Sequence, residues 1–162
     1  MAKMKVRMKE LEKFEANLLK LENLSREMIG EAIFDGAGVV ADAVKASIET
    51  IPIDNRFATG STTLYGITEE QKQGLRDGFG IAPMRDDGGY IHVKLGFDGY
   101  NSQQTKKYPN GQPNSLIARS VNTGTSFRQR FPFIDNAANQ SRSKAEDKMI
   151  KKFDDAVNKV MN

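Results

Sequence analysis

Two long apolar stripes at helical spacing, one toward each end of the chain, constrain this fold more than any other feature. The first follows Ser25: Met28 or Ile29, Ala32, Ile33, Val40, Val44, Ser47, Ile48 and Ile51 recur at helical spacing, as they do on one face of an α-helix. Pro52 stops it, because its ring cannot continue a helix. The second opens at Pro132-Phe133 and runs through Ile134, Ala138, Ser141, Ala145, Met149, Ile150, Phe153, Val157 and Val160. A shorter series, Leu11, Phe14, Leu18 and Leu21, predicts an additional helix over residues 10–22, with Ser25 as N-cap of the next one. Residues 10–51 are thus read as helical and 133–160 as a C-terminal helix. Met4 to Lys9 reads as a short strand or a frayed helix start.

Between the stripes the period changes. Residues 53–67 are a polar loop, and Thr68 is placed to cap a short helix over 69–77 whose first turn carries Glu69 and Glu70. A hairpin is expected over 79–97, turning at Asp86-Asp87-Gly88-Gly89. Its alternation sets Ile91, Val93, Leu95 and Phe97 on a core face, with Tyr90, His92 and Lys94 opposite. Residues 98–114 form a second long polar loop. Residues 116–121 read equally well as a strand or a short helix, since six residues are too few for periodicity to decide. The expected class is α+β: long helices packed on a small, mainly antiparallel sheet, in one domain over residues 1–162. Both long loops are expected to order only on assembly, or else to be mobile.

The chemistry-bearing residues are few. There is no cysteine and one histidine, His92, so thiolate metal sites and disulfides are excluded and any triad would have to run through His92. Asp86-Asp87 is turn chemistry, and Asp154-Asp155 lie side by side on a helix where neighbours diverge. Gly36, Gly38 and Ala41 match a dinucleotide fingerprint, but helix surrounds them where a preceding strand is needed. Close helix packing or a kink accounts for glycine there. No catalytic residue, metal site or cofactor is expected. No apolar run approaches the length of a spanning helix, so no membrane partner is expected. The charged N-terminus is not that of a secretory signal, and a reducing cytoplasm is the expected compartment.

Charge is uneven. Residues 23–100 hold 7 basic and 12 acidic side chains, whereas residues 101–130 hold 5 basic and none acidic: Lys106, Lys107, Arg119, Arg128 and Arg130. Such a segment attracts polyanions or is simply a solvated loop. Tyr100 and Tyr108 flank Lys106-Lys107 in the manner of a sparse stacking surface for single strands.

The order of parts carries a resemblance. Val44-Lys45-Ala46 leads to Ile51-Pro52, a short sheet follows, Ile117-Ala118-Arg119 leads to Gly124-Thr125, and Phe131-Pro132-Phe133-Ile134 with Ala137-Ala138 opens the last helix. This order resembles the tail-component family of tailed phages typified by gene product ten of phage HK-ninety-seven. That family often carries an acidic and an aromatic residue before Gly-Thr, where this chain has Asn122-Thr123. The resemblance implies a non-enzymatic virion protein of the neck, present in the host cytoplasm during assembly. It would complete the tail or join it to the head, as a ring of copies of itself among other neck and tail proteins. Gly124, Thr125, Pro132 and Phe133 would place the assembly loop, and the five cations would face double-stranded DNA without sequence preference. The alternatives are a small non-specific nucleic-acid-binding protein using residues 101–130, or an enzyme with dispersed carboxylates.

Overall fold

The computed structural model describes residues 8–162. The elements run α1 (Met8–Glu49), α2 (Glu69–Gly78), β1 (Phe79–Ile81), β2 (Arg85–Asp87), β3 (Tyr90–His92), β4 (Leu95–Phe97), α3 (Asn114–Thr123) and α4 (Phe133–Met161). The class is α+β, as the sequence predicts. The expectation for Met4 to Lys9 falls mainly outside the described residues.

The two predicted N-terminal helices are one. α1 runs unbroken for 42 residues, about 60 Å at 1.5 Å per residue. Ser25 does not cap a second helix. Its hydroxyl donates to the Glu22 carbonyl at 2.9 Å, the local back-bond by which serine is accommodated inside a helix. α4 packs antiparallel along α1. The Asn17 amide donates to the Met161 carbonyl at one end, and the Ser47 hydroxyl to the Phe133 carbonyl at the other. Gly36 faces α4, and a Cβ there would collide with the Met149 side chain and crowd the Ala145 carbonyl. Gly38 faces open space.

α2 begins as its sequence directs. The Thr68 hydroxyl accepts from the Gln71 N–H and the Gln71 side chain accepts from the Thr68 N–H, a complete capping box. Its buried Lys72 reaches back to donate to the carbonyls of Glu49 and Ile51 at 2.8 and 3.0 Å, placing a cation on the negative end of α1. α3 settles the ambiguity over 116–121 as helix, with Ile117, Ala118 and Val121 buried.

The hairpin is two ladders rather than one. Phe79 pairs with Phe97 and Ile81 with Leu95, but Arg85 pairs with His92, so the register slips by one residue between them. Pro83 stands in the slip, where it has no N–H to give a ladder. The turn closes through Gly88 and Gly89, at φ +69° and +98°, as a two-residue hairpin loop requires. The slip breaks the predicted alternation. Leu95 and Phe97 pack on the core while Ile91, His92 and Val93 are all partly buried. His92 is therefore not a fully wet residue; it packs beside Tyr90, 3.7 Å from the Asp87 carboxylate.

The core gathers Val44, Ile48 and Ile51 of α1, Ile67, Leu75, Phe79, Ile117, Val121 and Phe133. Phe97 links sheet to helices, its ring 4.9 Å from that of Phe79 and 6.1 Å, edge-on, from that of Phe133. The two glycines at the helix pair give a contrasting test. Gly36→Leu is expected to destabilise by about 1–3 kcal/mol through overpacking. Gly38→Ala is expected to stabilise by about 0.5–1 kcal/mol through helix propensity. Urea unfolding of both variants measures the difference.

Candidate functional site

The linker between α3 and α4 is held from both sides. Gly124 ends α3 at φ +75°, with its N–H on the Ser120 carbonyl. Thr125 and Arg128 then exchange backbone hydrogen bonds, closing a turn with Ser126 and the exposed Phe127 at its tip. The Phe131 N–H returns to the Val121 carbonyl, and Pro132 precedes the first residue of α4, Phe133, which is buried. No side chain at Pro132 can cap that helix. Asn122 does so from α3: its Oδ1 accepts the Ile134 and Asp135 N–H groups at 3.0 and 3.2 Å. The orphan donors of α4 are thus satisfied by a residue twelve positions earlier.

Both polar loops are closed by hydrogen bonds within the chain. Loop 53–67 is tied at its base, where the Asp54 N–H donates to the Ile67 carbonyl and the Ile67 N–H to the Pro52 carbonyl. Asp54 organises its interior. Its carboxylate accepts from Arg56 at 2.7 and 2.8 Å and from the Tyr65 N–H at 2.8 Å. The Arg56 hydrogen bonds first, and then that of Tyr65, hold this carboxyl well below the usual range. Loop 98–114 is tied by Asn101 to Gln112 and by Asn114 to Gly99. Near its tip, Thr105 and Tyr108 exchange backbone bonds, so Lys106 and Lys107 form the two-residue end of a tight turn.

These segments meet. Leu64 bonds to the linker on both sides of Arg128, through the Phe127 carbonyl and the Gln129 N–H. Gln71 and Thr68 of the α2 cap bond to Gln112 and Gln103. Between them lies a cleft of about 230 Å³ whose walls mix Asp54, Arg56, Gln103 and Arg128 with Phe57, Leu64 and Phe127.

The five sequence-predicted cations do not form one surface. Arg128 is only 5% exposed. Its guanidinium donates to the Gly66 carbonyl and the Ser120 hydroxyl, and burial lowers its pKa against the opposing charge of Asp54. It is a strut of the fold, not a polyanion-facing group. Arg130 is engaged too, with the Asn122 carbonyl and the Asp135 carboxylate. Lys106, Lys107 and Arg119 are exposed and make no ion pair among the described residues. Lys107 lies 5.4 Å from the centre of the Tyr108 ring. Gly124 ends α3 and Thr125 opens the linker, while Pro132 and Phe133 begin α4.

Sequence reasoning passed over Asn122, Asp54 and Lys72. Only Asp54 had a local signal, an Asx turn in which its side chain accepts the N–H of Arg56 two residues on. Among the described residues, no group of three or more His, Asp and Glu side chains gathers to hold a metal, and no helix is long and apolar enough to cross a membrane.

Comparison with protein-family models, with curated proteins and with solved structures gives no match to this chain.

Two substitutions test the junction and the loop. Asn122→Ala is expected to cost about 1 kcal/mol, within the 0.5–2 range of lost helix caps, while Asn122→Asp keeps the acceptor and stays near the parent in urea unfolding. Asp54 has a carboxyl depressed in the fold, so its contribution is complete above the unfolded value near 3.8 and is lost as pH falls toward the folded value. The urea midpoint of the parent is expected to exceed that of Asp54→Asn by a constant margin above about pH 5, a margin that shrinks progressively as pH falls below about 4.

Proposed function

We propose that this chain is a structural virion protein of a long-tailed phage or prophage. It acts in the neck, as a tail-completion or head–tail joining subunit in a ring around the DNA channel. The observation that carries this reading is the meeting of three segments, 53–67, 98–114 and 124–130, around one cleft beyond the C-terminal end of α1. Their exposed Phe57, Tyr65 and Phe127 suit packing against a neighbouring subunit, where aromatic anchors dominate. The order of parts supports the same reading: a helix ending at Ile51-Pro52, a short sheet, the Gly124-Thr125 turn and the Pro132-Phe133 helix start. Each ladder has only two strands, which leaves outer edges for pairing with another chain. DNA is a passing partner, met by Lys106, Lys107 and Arg119 rather than by all five cations.

Disruption of the gene in its parent phage, followed by electron microscopy of the lysate, tests this. DNA-filled heads lying apart from tails, or tails with defective ends, are expected. Normal infectious particles would refute it. A second reading, non-specific nucleic-acid binding, is favoured by the placement of Lys106-Lys107 at the tip of a closed turn beside Tyr108. Titration of duplex and single-stranded DNA against the purified protein separates the two. Micromolar binding that falls steeply with salt and vanishes in Lys106→Glu/Lys107→Glu would favour the second reading; its absence would favour the first.

A further inference from the structure

The cleft between loop 53–67, loop 98–114 and the α3–α4 linker carries hydrogen-bond donors that the fold leaves unused. The capping box of α2 decides one of them. The Thr68 N–H donates to Gln71 Oε1, so Gln71 has only its Nε2 to offer Gln112, and it donates to Gln112 Oε1 at 2.6 Å. That orients the Gln112 amide, whose own Nε2 makes no hydrogen bond among the described residues. On the same wall the acceptor is filled: the Thr68 hydroxyl accepts from the Gln71 N–H and donates to Gln103 Oε1. Arg128 supplies the other donors. It is a strut 5% exposed, with Nε on the Ser120 hydroxyl and Nη1 on the Gly66 carbonyl. Its Nη2 makes no hydrogen bond among the described residues. Nor is that atom sealed off, since the buried side-chain atoms without a partner are Asn101 Nδ2 and Asn114 Oδ1. No carboxylate forms a salt bridge with Arg128 among the described residues. Asp54, the acid whose charge reaches it, is closed on Arg56 and the Tyr65 N–H.

The geometry points to a binding site for a single carboxylate on a small apolar body, taken up by the free donors of Arg128 and Gln112, which both line the cleft. Three features choose this ligand. First, the charge is that of a monoanion. The walls hold the guanidiniums of Arg56 and Arg128 and the carboxylate of Asp54, and Arg56 pairs with Asp54 at 2.7 Å. One cation is left over, removed from water without a counter-ion, and a carboxylate relieves that cost with charge-assisted hydrogen bonds. A phosphate dianion would set surplus negative charge against Asp54. Second, the remaining walls include Phe57, Leu64 and Phe127. These cover an aromatic or aliphatic body, whereas a sugar–phosphate chain gains nothing from them. Third, about 230 Å³ lies below the roughly 300–1,000 Å³ of pockets that enclose drug-sized molecules, so the space suits one side-chain-sized acid. Two sources carry that group: the C-terminal end of another chain whose last residue is apolar, and a free arylalkanoic acid. This inference does not rest on the neck reading, and the two are tested by different experiments.

Titration of the isotope-labelled full chain with phenylpropionate, phenylpropionamide and inorganic phosphate, followed by NMR of the backbone amides, tests the site. Saturable shifts at Leu64, Gln112 and Phe127 are expected with the acid alone. Gln112→Glu is the deciding variant. Its carboxylate still accepts from Gln71 Nε2, so helical circular dichroism and the urea midpoint are expected to match the parent, while affinity for the acid falls about tenfold or more through a lost donor and an added like charge. Phe127→Ala, which removes an exposed ring, is expected to weaken the acid as well. An N-acetylated peptide ending in phenylalanine with a free C-terminus identifies the source. Tighter binding of the peptide than of phenylpropionate marks a chain end, and the reverse marks a free acid. No saturable shift with either acid, equal shifts with the amide, displacement by phosphate, shifts lying outside the cleft, or affinity undiminished in both variants would overturn the proposal.

Discussion

The seating of Phe133 is the constraint on which the rest of the fold depends. It is the first residue of α4 and 1% exposed. Its carbonyl takes the Ser47 hydroxyl of α1, its ring meets Phe97 of β4, and the turn of helix it opens is capped by Asn122 of α3. Four elements therefore agree on one position. That agreement fixes where α4 starts and which way it points, and so whether the remaining 28 residues of the 29-residue helix run back along α1. Burying one phenylalanine is worth only about 1.5–3 kcal/mol. Its importance lies in coupling: a displaced ring would also unmake the cap and the helix pair, and interactions that share partners do not act independently.

α1 carries this arrangement from one end of the molecule to the other. Its C-terminal end is finished by Lys72, whose ammonium reaches two carbonyls there, and by the Arg76 bonds that draw the Glu49 carboxyl below its ordinary range. Both cations come from α2, so the helix that opens after loop 53–67 also closes the helix before it. Hydrogen bonds thus concentrate where the loops converge, although Asn101 Nδ2 and Asn114 Oδ1 are buried there without a partner, whereas Leu11 and Phe14 toward the other end are about half exposed.

The elements legible in the sequence were those whose signals are local. The capping box at Thr68, the Gly88-Gly89 turn and the α4 stripe each lie within a few residues of the structure they specify. What was not legible depended on distance. Ser25 was read as a cap because serine before an apolar run is usually one; that the helix continues through it is decided by α4 packing alongside. Residues 116–121 were undecidable because strand and short buried helix share the same apolar content, and only the ring of neighbours around Ile117 and Val121 separates them. The hairpin register was misread because an alternation pattern assumes no bulge, and Pro83 forces one. Asn122 has no sequence signal as a cap for a helix twelve residues ahead.

The basic segment makes the same point about charge, with consequences for mechanism. Counting side chains gave five cations without an acid between residues 101 and 130. Folding removes Arg128 by burial, and Asp135, just outside that window, takes Arg130. Three exposed cations remain without an ion pair among the described residues, on two different elements. Duplex binding weakens with salt by roughly 0.9 log units per tenfold change for each phosphate neutralised, so one copy contributes a slope of at most about three. No single subunit could then clamp DNA, yet a ring would sum the contributions of all its copies while each contact stays weak. On the proposed neck reading, such scattered charge would favour passage of the duplex, which a five-cation clamp on every subunit would oppose.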